Sequence, residues 1–269
     1  MITRAQSAFN ALKKIECELK TTVDWQPIAS GSSNWLYKGQ IGGCAYVLRI
    51  NASTDYAFGV SREREAKVLA LIQGQDWAVE IIENSVAKGW CLMKDHGESL
   101  AFKDLNPQAV FAMLAKIHGF SKSVAPPIKA EIAFDYQKLF SQYQTILSKA
   151  DGSDLAVSLC QQLSRSIRFL PEVPSVLMHQ DLHLKNICQQ GPLIAIDWEY
   201  GGWGSPWLDV AALCREFELS AALVRQLNVF DQLSDKAFLE GLDLADAINQ
   251  GISCIWYWMR RQKGGSQVD

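Results

Sequence analysis

The chain has 269 residues, 48% of them hydrophobic, a size that suits one large domain or two lobes with a substantial core. A net charge of −3 and the lack of any Lys/Arg run argue against a nucleic-acid partner. The sequence has no apolar run of the roughly 18 to 20 residues that span a bilayer, no secretory signal and no CxxC pair, so we expect a cytoplasmic protein without a membrane partner.

The first third of the chain predicts a short helix followed by β-strands. Five short runs favour strands, and the turn-forming residues 31–33 and 42–43 separate the first three of them. Ser61 caps a predicted helix between the third run and the fourth, and the apolar residues of this helix fall on one face. The strand-like runs are 25–30, 35–40, 44–50, 78–83 and 89–93.

From residue 107 onward helical patterns dominate, and short strand-like pieces interrupt them at 175–179 and 192–196. The pattern therefore predicts an α+β fold of two lobes. A small β-rich lobe would cover residues 1–94, and a larger, mostly α-helical lobe would cover residues 95–269. The cleft between two such lobes is a common place for a ligand.

The stretch HQDLHLKN, residues 179–186, contains the candidate catalytic residues. The spacing from His179 to Asp181 to Asn186 is that of a kinase catalytic loop, in which the aspartate accepts the proton of the substrate hydroxyl and the asparagine holds Mg²⁺. Asp197 follows at the end of an apolar run, where an Mg²⁺–nucleotide site needs its second oxygen ligand.

Two other interpretations of this stretch stay open at the level of sequence. His179, Asp181 and His183 occupy alternate positions, as three ligands of a transition metal on an extended segment would. The same residues also suit a solvated polar turn whose charges have no function. The surrounding chain has to distinguish these interpretations from the catalytic loop.

A second segment, IDWEYGGWGSPWLDVA at residues 196–211, completes the pattern. Together the two segments resemble the aminoglycoside phosphotransferase and choline kinase superfamily, which has a protein-kinase-like fold. The resemblance implies ATP as co-substrate with Mg²⁺, nucleotide binding in the small lobe, and catalysis and acceptor binding in the large lobe. It also implies that His179 and Asp209 support the catalytic loop.

The resemblance places a nucleotide-covering turn between two strands of the small lobe. Backbone N–H groups in such a turn can cradle phosphate oxygens. A plain hairpin turn is the alternative, since only one glycine is present. The turn contains Ser30, Gly31, Ser32, Ser33 and Asn34.

Arg49 in the strand YVLRI stands where the family has its phosphate-binding cation, and an exposed edge-strand arginine is the alternative. Glu65 in RERE matches the helix glutamate that would pair with this cation, with Glu63 as the competing candidate. The segment between the lobes would offer its backbone to the adenine. Its residues are Leu92, Met93 and Lys94.

Aromatic residues mark the predicted acceptor side, because aromatic faces attract organic cations. Ordinary helix packing is the alternative for each ring. The ending WYWMRRQKGG also resembles the C-terminal helix of bacterial thiamine kinases. The candidate acceptor-binding residues are Trp198, Glu199, Trp203, Trp207, Trp256 and Trp258.

The sequence thus predicts a cytoplasmic kinase that transfers phosphate from ATP, with Mg²⁺, to a hydroxyl of a small cationic metabolite. Thiamine is the first candidate acceptor, and choline or ethanolamine is the second. An aminoglycoside is third, because a polycation calls for an acidic pocket whereas Arg260, Arg261 and Lys263 make the C-terminus basic. A catalytically silent nucleotide-binding pseudokinase is the alternative from another class, although it would usually lack the base or a metal ligand.

Overall fold

A computed structural model describes residues 4–28, 34–52, 57–189 and 191–262, with side chains from residue 10 onward. The small lobe begins with helix α1 (Arg4–Leu19) and has a second helix, α2 (Arg62–Ile72), that precedes the last two strands of its sheet. The strands are β1 (Gln26–Pro27), β2 (Trp35–Ile41), β3 (Cys44–Ile50), β4 (Ile81–Ser85) and β5 (Trp90–Lys94).

The large lobe is mostly helical, with short strands that carry the loops of the cleft. Its helices are α3 (Pro107–Phe120), α4 (Pro126–Glu131), α5 (Tyr136–Leu147), α6 (Asp154–Ser166), α7 (Trp207–Glu216), α8 (Ala221–Val224) and α9 (Asp235–Gln262). Its strands are β6 (Val176–Met178), β7 (Ile187–Gln189), β8 (Leu193–Ala195) and β9 (Gly202–Gly204). Short 3-10 turns are Val86–Lys88, Phe102–Asp104, Ser121–Ser123, Ile167–Phe169, Leu184–Asn186, Trp198–Tyr200 and Asn228–Phe230. This division confirms the predicted fold class.

The small-lobe sheet is antiparallel, in the order β1-β2-β3-β5-β4. One face of β3 and β5 packs against α1, where Leu48 and Leu92 form a small core with Ile15. Because side chains alternate across a strand, Arg49 points to the opposite face, on which α2 and the large lobe lie. The sheet therefore fixes the direction of Arg49 toward the cleft.

Two predicted strands lie at other bounds in the structure. Of the run 25–30, residues 25–28 are described, and among them β1 covers Gln26–Pro27; the run 78–83 becomes β4 at Ile81–Ser85. The apolar residues Trp77, Ala78 and Val79 are buried in the main core just before β4. Ala78 and Val79, which the sequence pattern assigned to a strand, are therefore apolar because they pack against the core.

Trp207, at the start of α7, lies at the centre of the large-lobe core. Its ring is fully buried, packs against Phe230 and Phe238 at centroid distances of 4.7 and 5.7 Å, and donates from Nε1 to the Pro171 carbonyl at 2.8 Å. Gly241 of α9 lies directly against this ring, because a Cβ added there would come within 2.6 Å of it. Helix α9 thus packs on α7 through a glycine.

The helices of the large lobe surround this core. Helix α9 is 28 residues long but alternates charged and apolar residues. Within the part of the chain that the structure describes, no helix has both the length and the apolar character that crossing a bilayer needs.

We predict that Gly241→Ala lowers the free energy of unfolding, measured by urea denaturation. A methyl group pressed against a buried, rigid ring costs about 1–3 kcal/mol, and contacts of 2.6 and 2.7 Å place this cost near the upper end. It exceeds the gain of roughly 1 kcal/mol that alanine brings to a helix interior.

The matched control is Gly119→Ala in α3, where an added Cβ meets nothing within 4 Å. This variant should gain up to about 1 kcal/mol, because only the helix propensity changes. Equal stabilisation by both substitutions would show that Trp207 does not pack against α9 as described.

Candidate active site

The loop 179–186 leaves β6 and is held by a single carboxylate from α7. The backbone N–H groups of His179 and Gln180 donate to Asp209 Oδ2 and Oδ1 at 2.7 and 2.6 Å. Asp209 is 1% exposed, and Gln180 has a left-handed φ of 73°. Two short hydrogen bonds to one buried carboxylate therefore fix the unusual backbone turn that precedes Asp181.

His179 is buried and makes two hydrogen bonds through its ring. Its Nε2 lies 2.8 Å from the carbonyl oxygen of Ile196, which can only accept, so Nε2 carries the proton and Nδ1 accepts the backbone N–H of Asp181 at 3.3 Å. Burial lowers the pKa of His179 to about 4, so the ring stays neutral.

This arrangement argues against the transition-metal interpretation of HxDxH, because both ring nitrogens of His179 are engaged with backbone. In the described ranges, no group of three or more His, Cys, Asp and Glu side chains is placed to hold a metal ion.

Asp181 presents a carboxylate oriented by its own loop. Asn186 Nδ2 donates to Asp181 Oδ2 at 2.9 Å and to its carbonyl oxygen at 2.8 Å, and His183 Nε2 lies 3.6 Å from the same carboxylate. Burial raises the pKa of Asp181, but the interactions with the rings of His183 and His179 and the hydrogen bond from Asn186 outweigh it, and the net shift is downward. Asp181 is therefore ionised and able to accept a proton.

Asp197 follows β8 in a left-handed conformation, with φ 61° and ψ 60°. The N–H of Ile196 donates to the Asn186 carbonyl at 2.9 Å, which places the end of the catalytic loop beside the Asp197 turn. Burial and the carboxylate of Glu199 raise the pKa of Asp197, although solvent moderates this effect because 33% of the side chain is exposed. A cation bound here would relieve the excess negative charge.

The residues present fit Mg²⁺. Since Asn186 Nδ2 serves Asp181, its carbonyl oxygen Oδ1 is the atom that can coordinate a metal, and Asp197 adds a carboxylate oxygen. Mg²⁺ prefers such hard oxygen ligands, and it commonly takes only one or two from the protein and the rest from phosphates and water. The donor set thus suits a metal that arrives with a nucleotide.

Arg49 in β3 connects the small lobe to this turn. Its Nη1 lies 2.6 Å from Glu65 Oε1 and 3.2 Å from Asp197 Oδ1, and its Nε donates to Asn51 at 3.0 Å. Burial alone would lower the pKa of Arg49, but Glu65 and Asp197 raise it, so the guanidinium stays charged. Glu65 is the partner of Arg49, whereas Glu63 is exposed on another face of α2.

Arg62, one turn before Glu65 on α2, extends the ion pair to the large lobe. Its Nη1 contacts Glu65 Oε2 at 2.8 Å and Glu199 Oε2 at 3.1 Å. The sequence analysis did not single out Arg62. The i, i+3 spacing with Glu65 is the signal that could have found it.

Glu199 and Asn34, predicted to bind the acceptor and the nucleotide, instead form hydrogen bonds with each other and with Arg62. Glu199 is 5% exposed, and its Oε2 accepts from both Arg62 and Asn34, so it is not available to an acceptor substrate. The Asn34 side chain, 6% exposed, bonds to Glu199, Arg62 and the N–H of Ala52 rather than facing a phosphate. The predicted turn residues Ser30, Gly31, Ser32 and Ser33 lie outside the described residues.

The backbone that the sequence analysis assigned to the adenine is part of the sheet. Leu92 and Met93 belong to β5, which has β3 on one side and β4 on the other, so the ladder uses their backbone groups. The N–H groups of Lys94 and Asp95 donate to Glu80 and Ala45 carbonyls at 2.9 and 3.1 Å. The first backbone that leaves the sheet therefore follows Asp95.

Two of the predicted acceptor tryptophans are core residues. Trp198 is fully buried, lies 4.6 Å from the His179 ring centroid and donates to the Ala195 carbonyl. Trp207 is fully buried in the large-lobe core as described above. Neither ring can contact a substrate, because other side chains of the core cover both rings completely.

The other three candidate acceptor tryptophans, Trp203, Trp256 and Trp258, are half-buried. Trp203 lies under the Lys129 ammonium, 4.5 Å from its ring centroid, so a cation of the chain itself already uses one face. Trp256 packs edge-on against Phe58 at 6.4 Å, with the Arg260 guanidinium 5.6 Å from its centroid. Trp258 packs against the main core.

Tyr200, which the sequence analysis did not name as a candidate, lies near Asp181 and beside the candidate Trp256. Tyr200 donates to the Phe58 carbonyl at 3.1 Å, and its hydroxyl also meets the Trp256 side chain. Burial is the main cause that raises the pKa of Tyr143 and of Tyr200, and the nearby charge of Asp181 adds to both. Tyr200 and Trp256, both half-buried, therefore form one surface next to the candidate base, which we call the aromatic wall, and the fully buried Phe58 and Tyr143 pack against it from the core.

The sequence profile of a family described as "Phosphotransferase enzyme family" (APH) matches residues 24–242. No curated protein sequence matches the chain.

Among solved structures, a choline/ethanolamine kinase family protein from Mesorhizobium loti is similar at 18% identity, with 99% of this chain and 90% of that chain covered and a TM-score of 0.70. The choline kinase LicA from Streptococcus pneumoniae is similar at 17% identity, with 94% and 92% covered and a TM-score of 0.67. A thermostable mutant of the aminoglycoside phosphotransferase APH(4)-Ia, solved with ADP and hygromycin B, is similar at 16% identity, with 95% and 99% covered and a TM-score of 0.54. These likenesses confirm the predicted kinase-like fold.

We predict that catalytic turnover falls as the pH drops through about 6 because of Asp209. Burial raises the pKa of Asp209 to about 6, against the opposing hydrogen bonds from His179 and Gln180. Only the deprotonated carboxylate accepts from both N–H groups, so the working loop is present above this pH and lost below it. Asp181, whose pKa is lowered, stays ionised throughout this range.

The measurement is the rate of Mg²⁺-dependent ATP consumption between pH 5 and 8 for the wild type and Asp209→Asn. The variant should be slower at neutral pH, because an amide offers one acceptor oxygen, and it should lack the decline near pH 6. A decline of the same shape in Asp209→Asn would assign the titration to another group.

Proposed function

The chain belongs to the phosphotransferase enzyme family, and from this we propose that it transfers the γ-phosphate of ATP to the hydroxyl of a small cationic metabolite. One observation carries the proposal. Asn186 holds the Asp181 carboxylate and its carbonyl accepts from the N–H of Ile196, next to Asp197, and the buried Arg49–Glu65 pair contacts Asp197 from the small lobe. Catalysis of phosphoryl transfer depends on such positioning and charge stabilisation.

Asp181 is the proposed general base. Its lowered pKa keeps it ionised, and Asn186 holds one carboxylate oxygen, so the other can face the acceptor. As the acceptor oxygen bonds to the γ-phosphorus, its proton passes to Asp181 and the bond to the ADP oxygen breaks. All three candidate catalytic and metal-binding residues are present, which supports an active kinase over a silent nucleotide-binding module.

The nucleotide side rests on Arg49, Asn186 and Asp197. Arg49 Nη2 is buried and has no hydrogen-bond acceptor among the described residues. Because buried donors are normally paired, this atom is suited to donate to an anion such as a phosphate oxygen. Asn186 and Asp197 would hold Mg²⁺, which when bound neutralises charge on the phosphates. For the adenine, the backbone after Asp95 replaces the predicted edge at residues 92–94. The lobe boundary near residue 94 stays a prediction.

The acceptor side rests on the aromatic wall. Aromatic faces stabilise an organic cation that cannot donate a hydrogen bond from its charged nitrogen, and Asp181 adds negative charge nearby. Choline or ethanolamine gains support from the kinases of similar fold, one of which is a choline kinase. Thiamine rests on the C-terminal sequence alone and becomes the second candidate. Aminoglycosides come third, because the guanidinium of Arg260 lies against Trp256 and would repel a polycation.

The test is a phosphotransfer assay with Mg²⁺ and ATP on choline, ethanolamine, thiamine and an aminoglycoside. We expect turnover of one of the first three, and Asp181→Asn should lower its kcat by about 10²- to 10⁴-fold, the usual contribution of a general base. Binding of Mg²⁺·ATP should change little in this variant, since the metal ligands remain.

The aromatic wall is tested in the same assay by Trp256→Leu. The KM of the acceptor should rise about 2- to 30-fold, the equivalent of roughly 0.5–2 kcal/mol of cation–π energy, while the KM of ATP stays constant. Trp258→Leu, on another face of α9, is the matched control and should leave both constants unchanged. Phosphorylation of a neutral or anionic alcohol alone, or full activity of Asp181→Asn, would contradict the proposal.

A further inference from the structure

A closed ring of alternating charge surrounds the turn that carries Asp197. From Asp197 it passes to Arg49 at 3.2 Å, to Glu65 at 2.6 Å, to Arg62 at 2.8 Å and to Glu199 at 3.1 Å. Glu199 is two residues from Asp197, so the backbone closes the ring. Glu65, Arg49 and Glu199 are each at most 5% exposed.

Asn34, the residue directly before β2, connects the ring to the small-lobe sheet. Its Nδ2 donates to Glu199 Oε2 at 3.0 Å, while its Oδ1 accepts from Arg62 Nη2 at 2.9 Å and from the N–H of Ala52 at 3.0 Å. The side-chain amide thus bridges both members of the Arg62–Glu199 pair. It also ties them to the backbone just beyond β3.

Trp198 attaches the turn to the core of the large lobe. This residue, between Asp197 and Glu199, is anchored in the core through Ala195 and the His179 ring. Trp198 thus fixes the middle of the turn, while the ion pairs from Arg49 through Glu65 and Arg62 to Glu199 connect its two ends. A change at Glu199 would therefore reach Asp197 through this chain of ion pairs.

We propose that Arg62 and Asn34 are positioning residues, which hold the metal-binding turn through Glu199 and so raise the affinity for Mg²⁺ with nucleotide. The inference rests on the proposed function, because it requires Asp197 to bind Mg²⁺. Glu199 then anchors the turn to Arg62 and Asn34 and does not coordinate the metal itself. Groups that orient metal ligands in this way contribute to metal affinity without touching the metal.

The test compares the binding of Mg²⁺·ADP with that of ADP in EDTA, measured by calorimetry on the full chain. Glu199→Gln keeps the shape of the side chain but removes the charge that Arg62 and Asn34 hold. It should weaken Mg²⁺·ADP binding on the order of 10-fold, the scale seen for partners of metal ligands. Binding of ADP without metal should change less than about twofold, so the metal-dependent ratio falls.

Arg62→Met should lower the same ratio, and Arg62→Lys should restore part of it. The double variant Arg62→Met/Glu199→Gln should be no worse than Arg62→Met alone, because both changes break one connection. Lys67→Met is the matched control. Lys67 also lies on α2 and pairs with Glu131 of the large lobe at 2.8 Å, but it does not contact the ring.

Thermal unfolding of each variant separates loss of fold from loss of positioning. A ratio that stays within about twofold of the wild type in Glu199→Gln and Arg62→Met overturns the inference, even if both lose stability. An equal loss in Lys67→Met also overturns it, because general attachment of α2 would then explain the effect. If wild-type ADP binding shows no dependence on Mg²⁺, the proposed metal site fails and the inference falls with it.

Discussion

The buried ion pair between Arg49 and Glu65, extended to Asp197 and Glu199, is the constraint on which the rest of the site depends. Five charged groups from both lobes, with Arg62 as the fifth, lie within 3.2 Å of their partners, in a region with little access to water. Burying charges is favourable only when each has a well-placed partner. Removal of one member would leave its neighbours unpaired, at a cost of about 3–5 kcal/mol for a buried pair.

Helix α2 consequently belongs to the large lobe as much as to the small one. Besides the ring, Arg64 donates to the Gly201 carbonyl at 3.0 Å and packs its guanidinium 4.5 Å from the Phe134 ring centroid. Opening of the cleft at α2 would separate these pairs. Helix α2, which orients Arg49 through Glu65, is thus already in place before any ligand binds, and this lowers the cost of ordering the proposed site.

Sequence patterns predicted the parts of this molecule that are local in the chain. The two-lobe fold, the family and the enzyme class are confirmed, because they follow from helix and strand periodicity and from two short segments. The contacts of Glu199 with Asn34 and Arg62 span 165 and 137 residues, and no local pattern reveals them. Trp198 and Trp207 were assigned to the acceptor because composition shows that a ring is present but not which side of the fold buries it. Residues 92–94 were assigned to the adenine because only the strand order shows that β5 has two neighbours.

The central claim is that the charge ring holds Asp197 so that Mg²⁺ and the nucleotide bind between this turn and the catalytic loop. A crystal structure of the chain with Mg²⁺ and a non-hydrolysable ATP analogue tests it most directly. The account predicts the metal against Asn186 and Asp197, a phosphate oxygen at Arg49, and Glu199 still bonded to Arg62 and Asn34. A structure in which Glu199 leaves Arg62 to bind the metal, or in which the nucleotide lies outside this cleft, would contradict it.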